Sequence, residues 1–240
     1  MSKESPNNGL TNRLDDRMAD RPPDRLAEAA RYAVLNRLLP VLRHDVAGAM
    51  QAPRMLLMVL EKRLQAAEPD LLDAAENLKS VSTLTKQATV GCMAALGWIA
   101  SSDNPCVNLR SSIDEIIALL AMEMSVNGLA LTNSIEDDTA TAPQAFVRNV
   151  FTGALLAFCD QYAGGGTLQV TFKPASAASP MSGQLHLQLA TDGIGPPPAS
   201  AELFRKSRLI EWPDVQAMAQ SMGAAMEQGD GWLSVDVPRY

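Results

Sequence analysis

The sequence predicts an α+β chain in which an antiparallel pair of long helices precedes a mixed α/β domain. Three observations carry this. Apolar residues recur at three- and four-residue steps from Leu35 to Ile99, interrupted once by a turn signal. After the linker "SSDNPC" (Ser101 to Cys106) the pattern changes to short alternating runs interleaved with helical ones. The 240 residues, 47% apolar and 20% charged, suffice for two modest cores and exclude disorder of the whole chain.

The chain reads as a tail over 1–23, a helical hairpin over 24–102 and an α/β domain over 107–240. In the tail, Asp, Asn, Arg and Pro occur without periodic apolar positions, which predicts flexibility. Beyond Pro22 and Pro23, Leu35, Leu39, Leu42, Val46, Ala49, Pro53, Leu56, Leu60 and Leu64 form one stripe on a 3.6-residue helix. Pro40 and Pro53 predict irregularities in it. "AAEPDL" (Ala66 to Leu71) is the turn. The second stripe is Leu71, Ala75, Leu78, Val81, Thr85, Ala88, Cys92, Leu96 and Ile99. Two such helices cannot bury both stripes on each other, so a homodimer closing a four-helix bundle is expected.

In the second half, "VNL" (Val107 to Leu109) reads as a strand, and Arg110 to Gly128 as a helix closed by Asn-Gly. Leu129 to Ile135 reads as a strand, and Ala142 to Gly166 as a helix ending in glycines. "TLQVTFK" and "GQLHLQLA" form a hairpin across the loop "PASAASPMS". "DVQAMAQSMGAAM" is the last helix and "GWLSVDVP" the last strand.

The net charge of −7 opposes recruitment of nucleic acid or anionic lipid, so neither is an expected partner. Three cysteines without paired-ligand spacing predict neither a zinc site nor a disulfide framework. The N-terminus shows no secretory h-region, and the longest run without Asp, Glu, Lys, Arg or His, Gln87 to Ser102, is too short and too polar to span a bilayer. A soluble cytoplasmic protein is expected.

The candidate chemistry lies in "RHDVAGAM" (Arg43 to Met50). At about 100° per residue, His44 falls roughly 200° from the stripe centre, on the outward side of its helix. A solvated surface histidine is one reading. The other is a phosphoacceptor, in which Asp45 holds one ring N–H, fixes the tautomer and leaves the second nitrogen to reach a phosphoryl donor. Arg43 would screen phosphate charge. Gly48, Gln51, Met55, Met58 and Lys62 continue the same face; Met55 and Met58 there suit protein docking, or a bundle face wide enough to cover them. His186 alternates with Leu185 and Leu187, on the polar face of a strand, and the three tryptophans read as packing residues.

An outward His followed by an acidic residue, a turn and a second helix resembles the dimerisation and phosphotransfer hairpin of sensor histidine kinases. "VNLRSSIDEIIALLAMEMSVNGLALTNSI", "DGIGPPP" (Asp192 to Pro198) and "AMAQSMGAAMEQGDGWLSVDVP" resemble parts of their ATP-binding (Bergerat) domain. The resemblance implies an α/β-sandwich second domain. It also exposes departures. Kinases of this family carry two asparagines four residues apart, the second holding Mg²⁺. Here Asn149 is followed by Gly153, and counting back from the glycines leaves Gly153 or Ala154 with Ala157 or Phe158. The adenine-binding Asp falls on Thr191, with Asp192 one place late before Gly193 and Gly195. The second glycine-rich box has no counterpart in "ELFRKSRLIEWPDVQAM".

The sequence thus resembles histidine phosphotransferases of the ChpT type, which pair a kinase-like hairpin with a degenerate ATPase-like domain. That resemblance implies a two-component phosphorelay protein, a pseudokinase taking a phosphoryl group onto His44 from one response-regulator receiver domain and passing it to another. No cofactor of its own is expected: Mg²⁺ comes with the receiver, and ATP binding is weak or absent. The alternatives are a non-catalytic dimeric scaffold and an ATP-dependent histidine kinase.

Overall fold

The computed structural model describes residues 23–67, 70–99, 105–162, 165–176, 179–190 and 208–238. The chain forms two compact units. One is Leu35–Asn104; the other joins the chain up to Val34 with Pro105–Tyr240. A helical hairpin is followed by an α/β domain with a mixed sheet, the architecture expected from the sequence.

Helix α1 (Pro23–Leu64), from Leu35 onward, and helix α2 (Leu71–Ile99) form the hairpin of the first of these units. Helix α1 runs through Pro40 and Pro53 as a single element. Each proline forfeits a backbone hydrogen bond, at about 3 kcal/mol, and Pro53 sits in the buried seam. Asp70 Oδ1 accepts from the N–H groups of Leu72 (2.9 Å) and Asp73 (3.1 Å), which starts α2. Arg63 and Asp73 pair beside the turn. Glu68 and Pro69 of that turn lie outside the described residues.

The seam is narrower than the sequence stripe. On α1, Leu38, Leu42, Pro53 and Leu60 are buried, and on α2 Ala74, Val81 and Ala88, seven residues apart. Leu71, Leu78, Leu96 and Ile99 of the expected second stripe are exposed, as are Leu39 and Leu64 of the first. Small residues on α2 bring the helices together along one line. The leucines beside that line find no cover within a two-helix unit.

In the α/β unit, strand β1 (Cys106–Asn108) leads directly into α3 (Leu109–Val126). Asn108 caps this helix, its side chain accepting from the Ser111 N–H at 2.9 Å. Ile113, Ile116, Leu120 and Met124 bury one face at three- and four-residue steps. The Asn-Gly stop works as expected: Asn127 closes the helix and Gly128 takes φ +72°. Its α-carbon region lies so close to Gly165 that a Cβ on Gly128 would meet Gly165 Cα at 3.2 Å. That approach lets β2 (Leu129–Asn133) pair parallel to β4 (Gly166–Ser176) from its first residue.

The main sheet has the order β2-β4-β5-β7-β6, with β5 (Ser179–Ala190), β6 (Met226–Gly229) and β7 (Trp232–Asp236) antiparallel to their neighbours. Leu168, Val170, Leu185, Leu187, Leu233 and Val235 alternate inward. They pack beneath a helix that begins as a π turn (Phe146–Phe151) and continues as α4 (Thr152–Gln161). Phe146, Phe151, Leu155, Leu156 and Phe158 are fully buried there, each contributing about 1.5–3 kcal/mol by burial. Helix α5 (Trp212–Ser221) completes the described helices. Its start is held by a reciprocal capping box of Glu211 and Asp214.

Four sequence expectations are corrected. The helix expected over Ala142 to Gly166 starts later, because Thr141–Pro143 forms β3 and pairs with β1, and it ends at Gln161. The strand β1 ends at Asn108, because that residue's side chain caps α3 and draws Leu109 into the helix. The loop expected over Pro174 to Ser182 is mostly strand, since β4 reaches Ser176 and β5 starts at Ser179. The last helix stops at Ser221, where Gly223 takes φ +70°, and Met226 opens β6, a strand absent from the sequence reading.

Candidate functional site

Helix α1 carries His44 on the side away from the seam. Its side chain is 83% exposed and that of Asp45 60%. His44 Nδ1 stands 3.4 Å from Asp45 Oδ1. Adjacent residues on a helix do not face one another, which accounts for the long separation. With the proton on Nδ1, this N–H points to the carboxylate and Nε2 keeps its lone pair free toward solvent. That is the form a nucleophilic imidazole needs.

Arg43, Gly48, Gln51, Met55 and Met58 are all exposed. A Cβ on Gly48 would meet nothing within 4 Å, so the surface beside His44 is open to an approaching molecule. Met55 is 59% and Met58 62% exposed, so neither is covered by the hairpin's own seam. A second apolar flank, Met50, Leu57 and Leu64, lies about 120–160° around α1 from His44 and is also exposed. Between the helices, beside Arg43, is a cavity of about 720 Å³ lined chiefly by Leu39, Pro40, Val46, Cys92, Leu96 and Ile99.

The positions that the sequence laid over nucleotide ligands sit elsewhere, in the α/β unit. Asn149 is half-buried within the π turn. Gly153 and Ala157 are buried, as is every residue of Thr152–Cys159. A Cβ on Gly153 would stand 2.6 Å from Met218 Cε and 3.5 Å from Val34 Cγ2. This interior leaves no room for an asparagine without displacing Met218. The π turn, in which the Thr152 N–H reaches back to Val147 O and its hydroxyl bonds the same carbonyl at 3.1 Å, also breaks the four-residue phase relating Asn149 to Gly153. Thr191, Asp192, Gly193 and Gly195 lie outside the described residues, as do Arg205 and Lys206. Arg208 donates to Asp214 at 2.6 Å and so holds the start of α5.

His186 is half-buried on the sheet face opposite Leu185 and Leu187, between Thr171 and Ser234. Burial, and then the nearby Lys173 charge, push its pKa below the ordinary histidine value. Its Nε2 is buried without a hydrogen-bond partner among the described residues. Among the described residues no three His, Cys, Asp or Glu side chains cluster as a metal site, and no helix is long and apolar enough to cross a membrane.

The sequence reading placed the first turns of α1 in the hairpin and read no apolar stripe in them. Ala27, Ala30, Ala33 and Val34 are buried, and these turns belong to the α/β unit. Their three- and four-residue spacing upstream of Leu35 is the signal that would have found them.

No protein-family model and no curated protein sequence matches the chain. Among solved structures it is similar to the Acinetobacter baumannii histidine kinase AdeS, with 12% identity over 77% of this chain and 95% of that one, TM-score 0.43. It is also similar to the histidine kinase ThkA in complex with the response regulator TrrA, with 11% identity over 88% of this chain and 63% of that one, TM-score 0.41. A bacterial phosphotransferase matches with 15% identity over 85% of this chain and 94% of that one, TM-score 0.36.

Proposed function

We propose that this protein is a histidine phosphotransferase of a two-component phosphorelay, taking a phosphoryl group onto His44 from one receiver domain and delivering it to another without using ATP. The observation that carries the reading is the contrast between the two units. His44 is 83% exposed beside a carboxylate, whereas Gly153 and Ala157 are packed interior.

In the forward step His44 Nε2 attacks the phosphorus of a receiver's aspartyl phosphate. The P–N bond forms as the P–O bond to the aspartyl carboxyl breaks, and the carboxylate leaves with the electron pair. Asp45 keeps the ring proton on Nδ1 and steadies the imidazolium-like charge as phosphorus arrives. Transfer to the second receiver reverses these events. Mg²⁺ is supplied by the receiver, whose acyl phosphate is already an activated donor, so alignment is the main task left to this chain.

The reading includes a homodimer. The exposed flank of Met50, Leu57, Leu64, Leu71 and Leu78 and the apolar cavity beside Arg43 suit closure by a second hairpin into a four-helix bundle. That closure leaves the face of His44, Gly48 and Gln51 for the receiver, with Met55 and Met58 as adaptable contacts.

Mixing the purified chain with a phosphorylated receiver is expected to place an acid-labile phosphoryl group on His44. Labelling that persists in His44→Ala refutes the assignment. A cell that functions normally with His44→Ala, yet fails when the hairpin is disrupted, points to a non-catalytic scaffold instead.

A further inference from the structure

The first turns of α1 pack with the α/β unit, where they bury Ala27, Ala30 and Val34 along one side. Two contacts locate that side. Val34 Cγ2 lies 3.5 Å from the point where a Cβ on Gly153 would stand, in company with Met218 and Val215. Arg31 Nη2 donates to Ser221 Oγ, at the end of α5, at 2.7 Å. The segment therefore closes over the junction of α4 and α5.

The state of α4 shows what this closure does. A helix resting on one face of a sheet normally keeps an outward polar stripe. Here Thr152–Cys159, more than two turns, is buried on every side, and Thr152, the one hydroxyl among these residues, is bonded internally to Val147 O. Gly153 presents bare backbone to the closing segment, so Val34 and Met218 reach in where any side chain would stand.

We propose that Arg25 to Val34 is the resident occupant of a seat formed by Gly153, Val215, Met218 and Ser221, an intramolecular plug on the side of α4 where the resemblance sets nucleotide ligands. The inference rests on the reading of Gly153 and Ala157 as degenerate ligand positions. A ligand reaching Gly153 from this side would have to displace Val34 and Met218. The seat is thus filled by a helix from the same chain, whose Val34 occupies space that a larger side chain at Gly153 would need.

Hydrogen exchange on the full-length chain tests this. The amides of Ala27 to Val34 are expected to exchange within about 30-fold of the rate of Thr152–Cys159, as members of one cooperative unit; faster exchange overturns the plug. Ala30→Glu, which buries a charge in the seat, is expected to speed exchange of Ala27 to Val34 and of Trp212–Ser221 by at least about tenfold. Protection of Trp212–Ser221 that is unchanged in a folded Ala30→Glu chain overturns it. Millimolar Mg-ATP is expected to leave the wild-type exchange pattern unaltered; protection of Thr152–Cys159, with or without release of Ala27 to Val34, shows a nucleotide seat and overturns the proposal. Phosphoryl labelling of His44 is a separate readout, so failure of the relay reading is distinguishable from failure of the plug.

Discussion

Replacing Gly153 by alanine sets two effects of known sign against each other. In a helix interior the change from Gly to Ala contributes about 1 kcal/mol of stability. At this position the new Cβ stands 2.6 Å from Met218 Cε. Overpacking of that kind costs about 1–3 kcal/mol, and the lower half of the range applies because Cε is the end of a flexible side chain. The expected net change lies between neutral and about 1 kcal/mol destabilising. Met218→Ala alone costs about 2–5 kcal/mol, since Met218 is fully buried. In that background the added methyl meets only Val34 and Val215 at ordinary van der Waals distances, 3.5 and 3.8 Å, and Gly153→Ala is expected to stabilise by about 1 kcal/mol. The cycle thus predicts a coupling of about 1–2 kcal/mol with a reversal of sign. Urea unfolding of the four proteins, followed by tryptophan emission in a Trp98→Phe background so that Trp212 and Trp232 report on the α/β unit, measures it. Equal stabilisation in both backgrounds refutes the packed-interior account of Gly153. Gly48→Ala serves as a control: with nothing within 4 Å of its Cβ, it is expected to stabilise the hairpin by about 1 kcal/mol outright.

Further outcomes follow from the other sites. His44→Gln is expected to change unfolding stability by less than about 0.5 kcal/mol, because the side chain is exposed, while abolishing phosphoryl uptake from a receiver; a large loss of stability would mark His44 as structural. Leu71→Ser combined with Leu78→Ser is expected to convert a dimer to a monomer by light scattering, without loss of helix in far-UV circular dichroism. Asp214→Ala removes a buried carboxylate that accepts from Arg208 and from the Glu211 N–H, and a loss of about 2 kcal/mol is expected in urea unfolding. For His186 the folded-state pKa is depressed below 6.5, so the unfolded chain binds the proton more readily. The stability it allows is complete above about pH 6.5 and is lost as pH falls through the lower folded value. His186→Gln is expected to flatten that part of the stability profile, and an unchanged slope would assign the acid sensitivity to other groups.

How far the sequence could be read depended on the range of the interactions involved. The Asn-Gly stop after α3 and the alternation in β4 and β5 are local patterns, and each appears where the spacing put it. The outward position of His44 follows from the same arithmetic. The strand β6 was not legible because "MEQG" carries no alternation of its own and pairs only because β7 lies beside it. The π turn was not legible either: it shows as the bond from the Thr152 N–H back to Val147 O, with Phe146 and Phe151 fully buried, and the local apolar spacing there reads as an ordinary helix.

The sequence by itself determined the helical hairpin ahead of the α/β half, the solvent face on which His44 stands and the lack of a second amide after Asn149. Only the tertiary structure decided that the stripe of α2 divides into a buried line of Ala74, Val81 and Ala88 and an exposed line of leucines. It alone showed that Gly153 faces Met218 and Val34, and that the first turns of α1 pack with residues more than a hundred positions away. The physical reason is that periodicity fixes which way a side chain points along its own element, whereas what it meets there depends on segments brought together only by folding.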